Sequence, residues 1–209
     1  MTTQVLDAHD HHHDHHIEHS LKADSNDVFG FWLYIMTDCI LFATLFATFA
    51  VLHNDGPFSP PLKELVSLPY VLKETFFLLG SNLTFGLAVI SLNRRNVKRV
   101  TAPILWLLVT IILGACFVAM ELNEFAHLIH EGYSYTTSGA LSSFFVLVGT
   151  HGLHVSVGIL WILIMAIQLG VFGINSTTKR RITYLGLFWN FLEIVWIFVF
   201  TIVYLMSFV

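Results

Sequence analysis

Glutamate and histidine recur every three residues in Glu121, Glu124, His127 and His130, and His151 with His154 repeat that interval further along. Residues three apart share one face of a helix, and Glu-x-x-His pairs are the ligands of di-iron helix bundles. Such a centre needs two Glu-x-x-His pairs plus two further glutamates, all at one depth. Here only Glu124/His127 has that form, and residue counting sets it far from the level of His151 and His154. No metal site is therefore expected on this chain. Asp38, Glu74 and Glu193 are further ionisable groups set in apolar sequence. The chemistry open to all of these is proton handling or contact with a partner. The competing role is interhelical hydrogen bonding, and packing is the leading expectation for any single one of them.

These groups need elements to hold them. Of the 209 residues 56% are hydrophobic and only 11% charged, with a mean hydropathy of +0.73. Soluble domains carry roughly a quarter charged residues, so lipid is the expected solvent. Five apolar runs, about 29–52, 70–92, 102–126, 139–170 and 184–208, pass the length test for crossing a hydrocarbon core of about 30 Å. A lone apolar segment in lipid must satisfy its own backbone, so each is expected to be helical. The fold class expected is all-α: a polytopic membrane protein with a bundle of five transmembrane helices.

The punctuation agrees. Asp55–Gly56 opens the first connection and Pro57, Pro60, Pro61 and Pro69 crowd it. Thr101 and Pro103 suit a helix start, and Asn175, Ser176 and Thr177 break the chain before the last run. Lys22, Arg94, Arg95, Lys98, Arg99, Lys179, Arg180 and Arg181 fall on one side, against Lys63 and Lys73 on the other. The positive-inside rule then sets the N-terminus in the cytoplasm and the C-terminus in the periplasm. Trp32, Trp106, Trp161, Trp189 and Tyr204 can supply parts of the aromatic belts, though several lie too deep in their runs for that. Cys39 and Cys116 lie in apolar runs and give neither a disulfide framework nor a zinc signature. A formal charge of −4, carried largely by the N-terminal tail, implies no nucleic-acid partner.

An ionisable side chain at the bilayer centre costs about 2.5 kcal/mol or more, so none of these groups is expected to face lipid. Asp38 lies about 14 Å into the first helix. His151, His154 and Glu193 fall near mid-membrane, and Glu74, Glu121, Glu124 and His127 toward the outer ends of their helices. Gly149, Gly152 and Gly158 fit close helix packing around the THGLH segment. Residues 1–28 are acidic and histidine-rich without a basic start or apolar core, so they are not a targeting segment. They are expected to form a disordered cytoplasmic tail ahead of a membrane domain over 29–209. Metal binding and proton collection by its seven histidines are the other readings.

Three segments together resemble subunit III of haem-copper terminal oxidases: GACFVAMELNEF (114–125), SSFFVLVGTHGLHVSVG (142–158) and LFWNFLEIVWIFVFTIVYL (187–205). ETFFLLGSNLTFG (74–86) and FGFWLYIMTDCILFATLFATFAVL (29–52) extend the likeness over nearly everything after residue 28. Five helices, a histidine-rich tail and the MTDCILF wording are most similar to the bacterial bo-type ubiquinol oxidase form. Five-helix forms also occur in bacterial cytochrome c oxidases.

The resemblance implies a non-redox accessory subunit of a proton-pumping quinol oxidase in the aerobic respiratory chain of the bacterial inner membrane. Haems and copper belong to subunit I. Subunits I and II, a small subunit IV and bound phospholipid are the implied partners, and this chain has no implied active site of its own. The implied positions are Asp38 beside tightly held lipid, Glu124 in the third-helix motif, and both histidines, His151 and His154, of the H-G-x-H segment. In the last helix Asn190 stands where the family often has histidine, and Glu193 where aspartate is common. Asn190 cannot be protonated, so only an uncharged hydrogen-bonding role carries over to it. Glu74 is a further candidate from the residues themselves. An independent transporter and a membrane di-iron enzyme are the competing readings, the first opposed by the absence of paired Gly/Pro interruptions in two halves.

Overall fold

A computed structural model describes the backbone of residues 3–52, 68–93, 101–133 and 138–205. It describes side chains from Val28 onward within those ranges, Asn93 and Leu205 excepted. The side chains of Lys22 and of the tail histidines lie outside these limits, as do Lys63, Arg94, Arg95, Lys98 and Arg99, the turn at Asp55–Gly56 and its neighbouring prolines at 57, 60 and 61. The helices among the described residues are, in order, α1 (Thr3–Leu52), α2 (Leu68–Asn93), α3 (Thr101–His130), α4 (Gly139–Phe172) and α5 (Ser176–Val199). A π-helical stretch, Phe200–Leu205, continues α5. All five helices contain a segment long and apolar enough to cross a membrane.

The ends follow from local chemistry. Ser138 takes an extended backbone and its hydroxyl accepts the Leu141 N–H at 3.2 Å, which caps α4. Gly132, at φ 89°, ends α3: its N–H reaches the Ile129 carbonyl while the Tyr133 N–H reaches that of Leu128. This is a glycine-terminated Schellman arrangement, which requires a positive φ that other residues adopt at a cost. It carries α3 a full turn past the expected end at 126. Likewise α5 begins at Ser176 and not at 184, since Lys179, Arg180 and Arg181 are compatible with helix outside the hydrocarbon. Helix α1 extends back to Thr3, so the boundary expected at residue 28 is not marked by a break in the backbone. Once an apolar span nucleates a helix, adding residues to it costs little.

The chain forms two compact units, Met1–Leu41 and Phe42–Val209. In the second, α2 packs on α3, α3 on α4, α4 on α5 and α5 back on α2, closing a four-helix ring. Its centre is filled by Phe117, Phe144, Leu147, Val155, Phe188, Trp189, Leu192 and Trp196, all buried. The final turns of α1, through Phe42 and Leu52, touch α4. The glycines of α4 do what their spacing suggests. Gly152 lies against the Glu121 carboxylate, Gly158 against the rings of Trp189 and Phe188, and Gly149 against Phe125. Trp189 and Tyr204, available by sequence for the aromatic belts, are instead core residues at 2% and 1% exposure.

Candidate functional site

Each helix of the ring sends polar groups toward a common region, at the end where α2 and α4 begin and α3 and α5 finish. Helix α2 supplies Glu74, fully buried at 0% exposure. Helix α3 supplies Glu121 and Glu124, one turn apart and both buried. Helix α4 supplies His151, also at 0% exposure. Helix α5 supplies Trp196, and its π-helical extension supplies Tyr204. The depth expected to part Glu121 from His151 is not observed. Glu121 lies beside Gly152, and the Phe117 ring, one turn from Glu121, meets His151 edge-on at 5.9 Å. The longer α3 and the tight glycine contact bring the two levels together.

The contacts inside this cluster are specific. The His151 imidazole stacks on the Trp196 indole, with centroids 5.2 Å apart and planes 30° from parallel. The Trp196 N–H donates to Thr75 Oγ1 at 3.1 Å, next in sequence to Glu74. The Tyr204 hydroxyl donates to Glu124 Oε2 at 3.4 Å. Glu74 lies within charge–charge range of Glu124 and Glu121. Both carboxylate oxygens of Glu74, Glu121 Oε1 and both ring nitrogens of His151 are buried and have no hydrogen-bond partner among the described residues. Orphaned polar atoms are rare in proteins because each forfeits its solvation without replacement. Three carboxyls, a phenol and an imidazole enclosed by aromatic rings form a constellation able to hold or pass a proton. Among the described residues no group of three or more His, Cys, Asp or Glu side chains is arranged to hold a metal ion.

The remaining candidates have other contacts. His154, next on α4, binds the Thr150 carbonyl through Nδ1 at 2.8 Å and lies 5.3 Å from the Phe42 ring. Asp38, in the first unit, is buried and hydrogen-bonds the hydroxyl of Tyr34 one turn earlier on α1. Asn190 is exposed, and Glu193 is half-buried with Oε2 accepting a hydrogen bond from Asn82 Nδ2. His127 and Glu131 form an exposed i,i+4 pair at 3.7 Å. Trp196, Thr75, Tyr204 and Asn82 were not singled out by sequence as site residues. Trp196 and Tyr204 lie in the segment that carries the family likeness, but nothing in one chain's pattern says which neighbour an aromatic ring meets.

Comparison with known proteins gives this arrangement a context. The chain is 51% identical over 210 residues to the cytochrome bo(3) ubiquinol oxidase subunit 3 of Pseudomonas aeruginosa, covering 99% of each chain. It is 45% identical over 181 residues to the quinol oxidase subunit 3 of Bacillus subtilis, covering 87% of each. The cytochrome c oxidase subunit 3 of Bacillus sp. PS3 is 40% identical over 184 residues, covering 88% of this chain and 87% of that one. Residues 8–208 match the family described as cytochrome c oxidase subunit III. By that match and by these identities, the five-helix chain belongs to the cytochrome c oxidase subunit III family.

Proposed function

We propose that this chain is the accessory subunit 3 of a terminal quinol oxidase that passes electrons from ubiquinol to oxygen and pumps protons. The observation that carries the reading is identity of 51% across 99% of both chains with a protein named as a bo(3) ubiquinol oxidase subunit 3. On this reading the chain is multi-pass in a bacterial inner membrane, with its N-terminus cytoplasmic and its C-terminus periplasmic. It packs against subunit I, which holds the haems and copper, in a complex with subunit II and a small subunit IV, and it retains phospholipid. It contributes no redox centre and no active site. Its own groups maintain proton uptake and the working lifetime of the complex. We assign Asp38, Glu74, Glu124, His151, His154, Asn190 and Glu193 as the intramembrane polar positions that serve this purpose, and residues 1–28 as a cytoplasmic tail without essential duty.

The likeness to a cytochrome c oxidase subunit 3 at 40% identity supports a second reading, in which the donor is cytochrome c. Purification in mild detergent tests the first part. The chain is expected to co-isolate with a haem-bearing large subunit; isolation as a lone transporter or a lone iron protein would overturn the assignment. Oxygen uptake by the purified complex with ubiquinol and with reduced cytochrome c separates the two donors, and ubiquinol is expected to support turnover. Removal of residues 1–20 is expected to leave turnover and proton stoichiometry unaltered.

A further inference from the structure

Helix α1 runs without interruption from Thr3 to Leu52, while its apolar run begins only near residue 29. The helix therefore starts well ahead of the hydrocarbon, and this leading stretch carries the sequence DAHDHHHDHHIEH (7–19). Along the chain its histidines and carboxylates are interleaved. Wound as a helix at about 100° per residue, they separate. The seven histidines take register positions within an arc of about 200°, and Asp7, Asp10, Asp14 and Glu18 fall within about 80° on the other side.

Register also sets the histidines in pairs. His9 and His13, His11 and His15, His12 and His16, and His15 and His19 are each four residues apart on α1. Positions four apart on a helix are neighbours, with Cβ atoms about 5–6 Å from each other. Two histidines at that interval on a helix are the zinc ligands of the H-E-x-x-H motif. Position i+3 holds a third histidine in two of these turns, where His12 precedes His13 and His15 precedes His16. The stretch has no cysteine, so imidazole is the donor it offers in quantity. Imidazole suits zinc, nickel and copper, whereas magnesium and calcium prefer oxygen. The four carboxylates add negative charge along the same few turns, which favours a cation there. The ligand count and depth that exclude a metal from the membrane bundle concern Glu124, His127, His151 and His154, and do not bear on this stretch.

We propose that the leading stretch of α1 is a binding site for a divalent transition-metal ion of the zinc, nickel and copper kind, held by histidines four residues apart on the helix. The site is additional to the accessory-subunit reading and supplies no redox step. Removal of residues 1–20 takes the ion away and leaves turnover as it is, so the two readings stand or fall separately.

The test uses the full chain in mild detergent, with whatever subunits co-isolate, dialysed against chelator and then titrated with zinc chloride. Zinc bound is expected to exceed that of the form lacking residues 1–20 by about one ion per chain or more, since two or three imidazoles suffice for one ion. Equal zinc in the two forms would overturn the proposal. Two triple variants then separate helical register from histidine content. Asp10→Pro, Asp14→Pro and Glu18→Pro together keep all seven histidines and set a proline inside every four-residue pair, which breaks the helix. Asp10→Ala, Asp14→Ala and Glu18→Ala remove the same carboxylates and favour the helix. The proline form is expected to bind zinc about tenfold or more weakly than the alanine form, the scale on which lost ligand positioning weakens a metal site. Equal affinity of these two forms would show that histidine content alone holds the ion, and the helical site would be abandoned.

Discussion

The Glu121 carboxylate occupies the space that a side chain at Gly152 would need: a Cβ there would stand 2.7 Å from Oε1 and 2.8 Å from Cδ. Helix α3 therefore approaches α4 as closely as it does because residue 152 has no side chain. Gly152→Ala is expected to cost about 1–3 kcal/mol, the range for overpacking a filled core. Combining it with Glu121→Ala should return much of that loss, because the two changes share one space. Thermal unfolding of the four forms in detergent measures this, and simple additivity of the two losses would contradict the contact.

A second glycine in the same helix gives an internal comparison. A Cβ on Gly158 would meet Trp189 Cζ3 at 2.8 Å and Phe188 Cε1 at 3.2 Å, whereas one on Gly149 would lie 3.6 Å from Phe125. Gly158→Ala is thus expected to lower the midpoint of unfolding clearly, since two packed rings must shift. Gly149→Ala is expected to be neutral or slightly stabilising, by up to about 1 kcal/mol, as in replacement of a helical glycine that has room. The reverse order of stabilities would show that α4 is packed differently.

Trp196 joins two parts of the cluster, stacking on His151 and donating to Thr75. Trp196→Phe retains a ring and loses the N–H. In a double-mutant cycle with Thr75→Val, a coupling of about 0.6 kcal/mol, and up to about 1.7, is the expected size for such a bond between membrane helices. A coupling indistinguishable from zero would mean the two side chains do not meet in the folded protein.

Glu74 separates stability from function. Both its carboxylate oxygens are buried without a partner among the described residues, so the folded chain gains no hydrogen bond from them. Replacing such a group by an apolar one of similar shape is often neutral or stabilising, here by about 1 kcal/mol. Glu74→Met is therefore expected to unfold no more easily than the parent chain, while the oxidase that contains it loses turnover or working lifetime. A variant that unfolds early would instead assign Glu74 a packing role. One unchanged in every respect would remove it from the functional set.

Much of the architecture could be read from residue order. Five apolar runs of spanning length leave helix as the only backbone solution, and all five are found within a few residues, the last beginning eight earlier than expected. Gly152 and Gly158 announced close packing, and the Glu-x-x-Glu and H-G-x-H stretches named the buried Glu121, Glu124 and His151. What residue order could not supply was the vertical register between helices. Moving the end of α3 from 126 to His130 changes the depth assigned to Glu121, and only the packed ring shows it beside Gly152, the neighbour of His151. The partnership of Trp196 with Thr75 spans 121 positions in the chain and leaves no periodic trace. Asn82, an unremarkable polar residue by sequence, is recognised only through its bond to Glu193.

The widened turns at Phe200–Leu205 set a constraint that no single side chain carries. Eight residues of regular α-helix rotate through about 800°, which would leave Tyr204 about 80° around the axis from Trp196. A π turn rotates less per residue, and the two rings meet with centroids 6.3 Å apart, the phenol directed at Glu124. The count of residues between the two aromatics is therefore itself part of the fold. Excising one residue would leave seven steps of ordinary winding, about 700°, and hold the phenol within about 20° of the Trp196 face, so one residue is what the widened turns absorb.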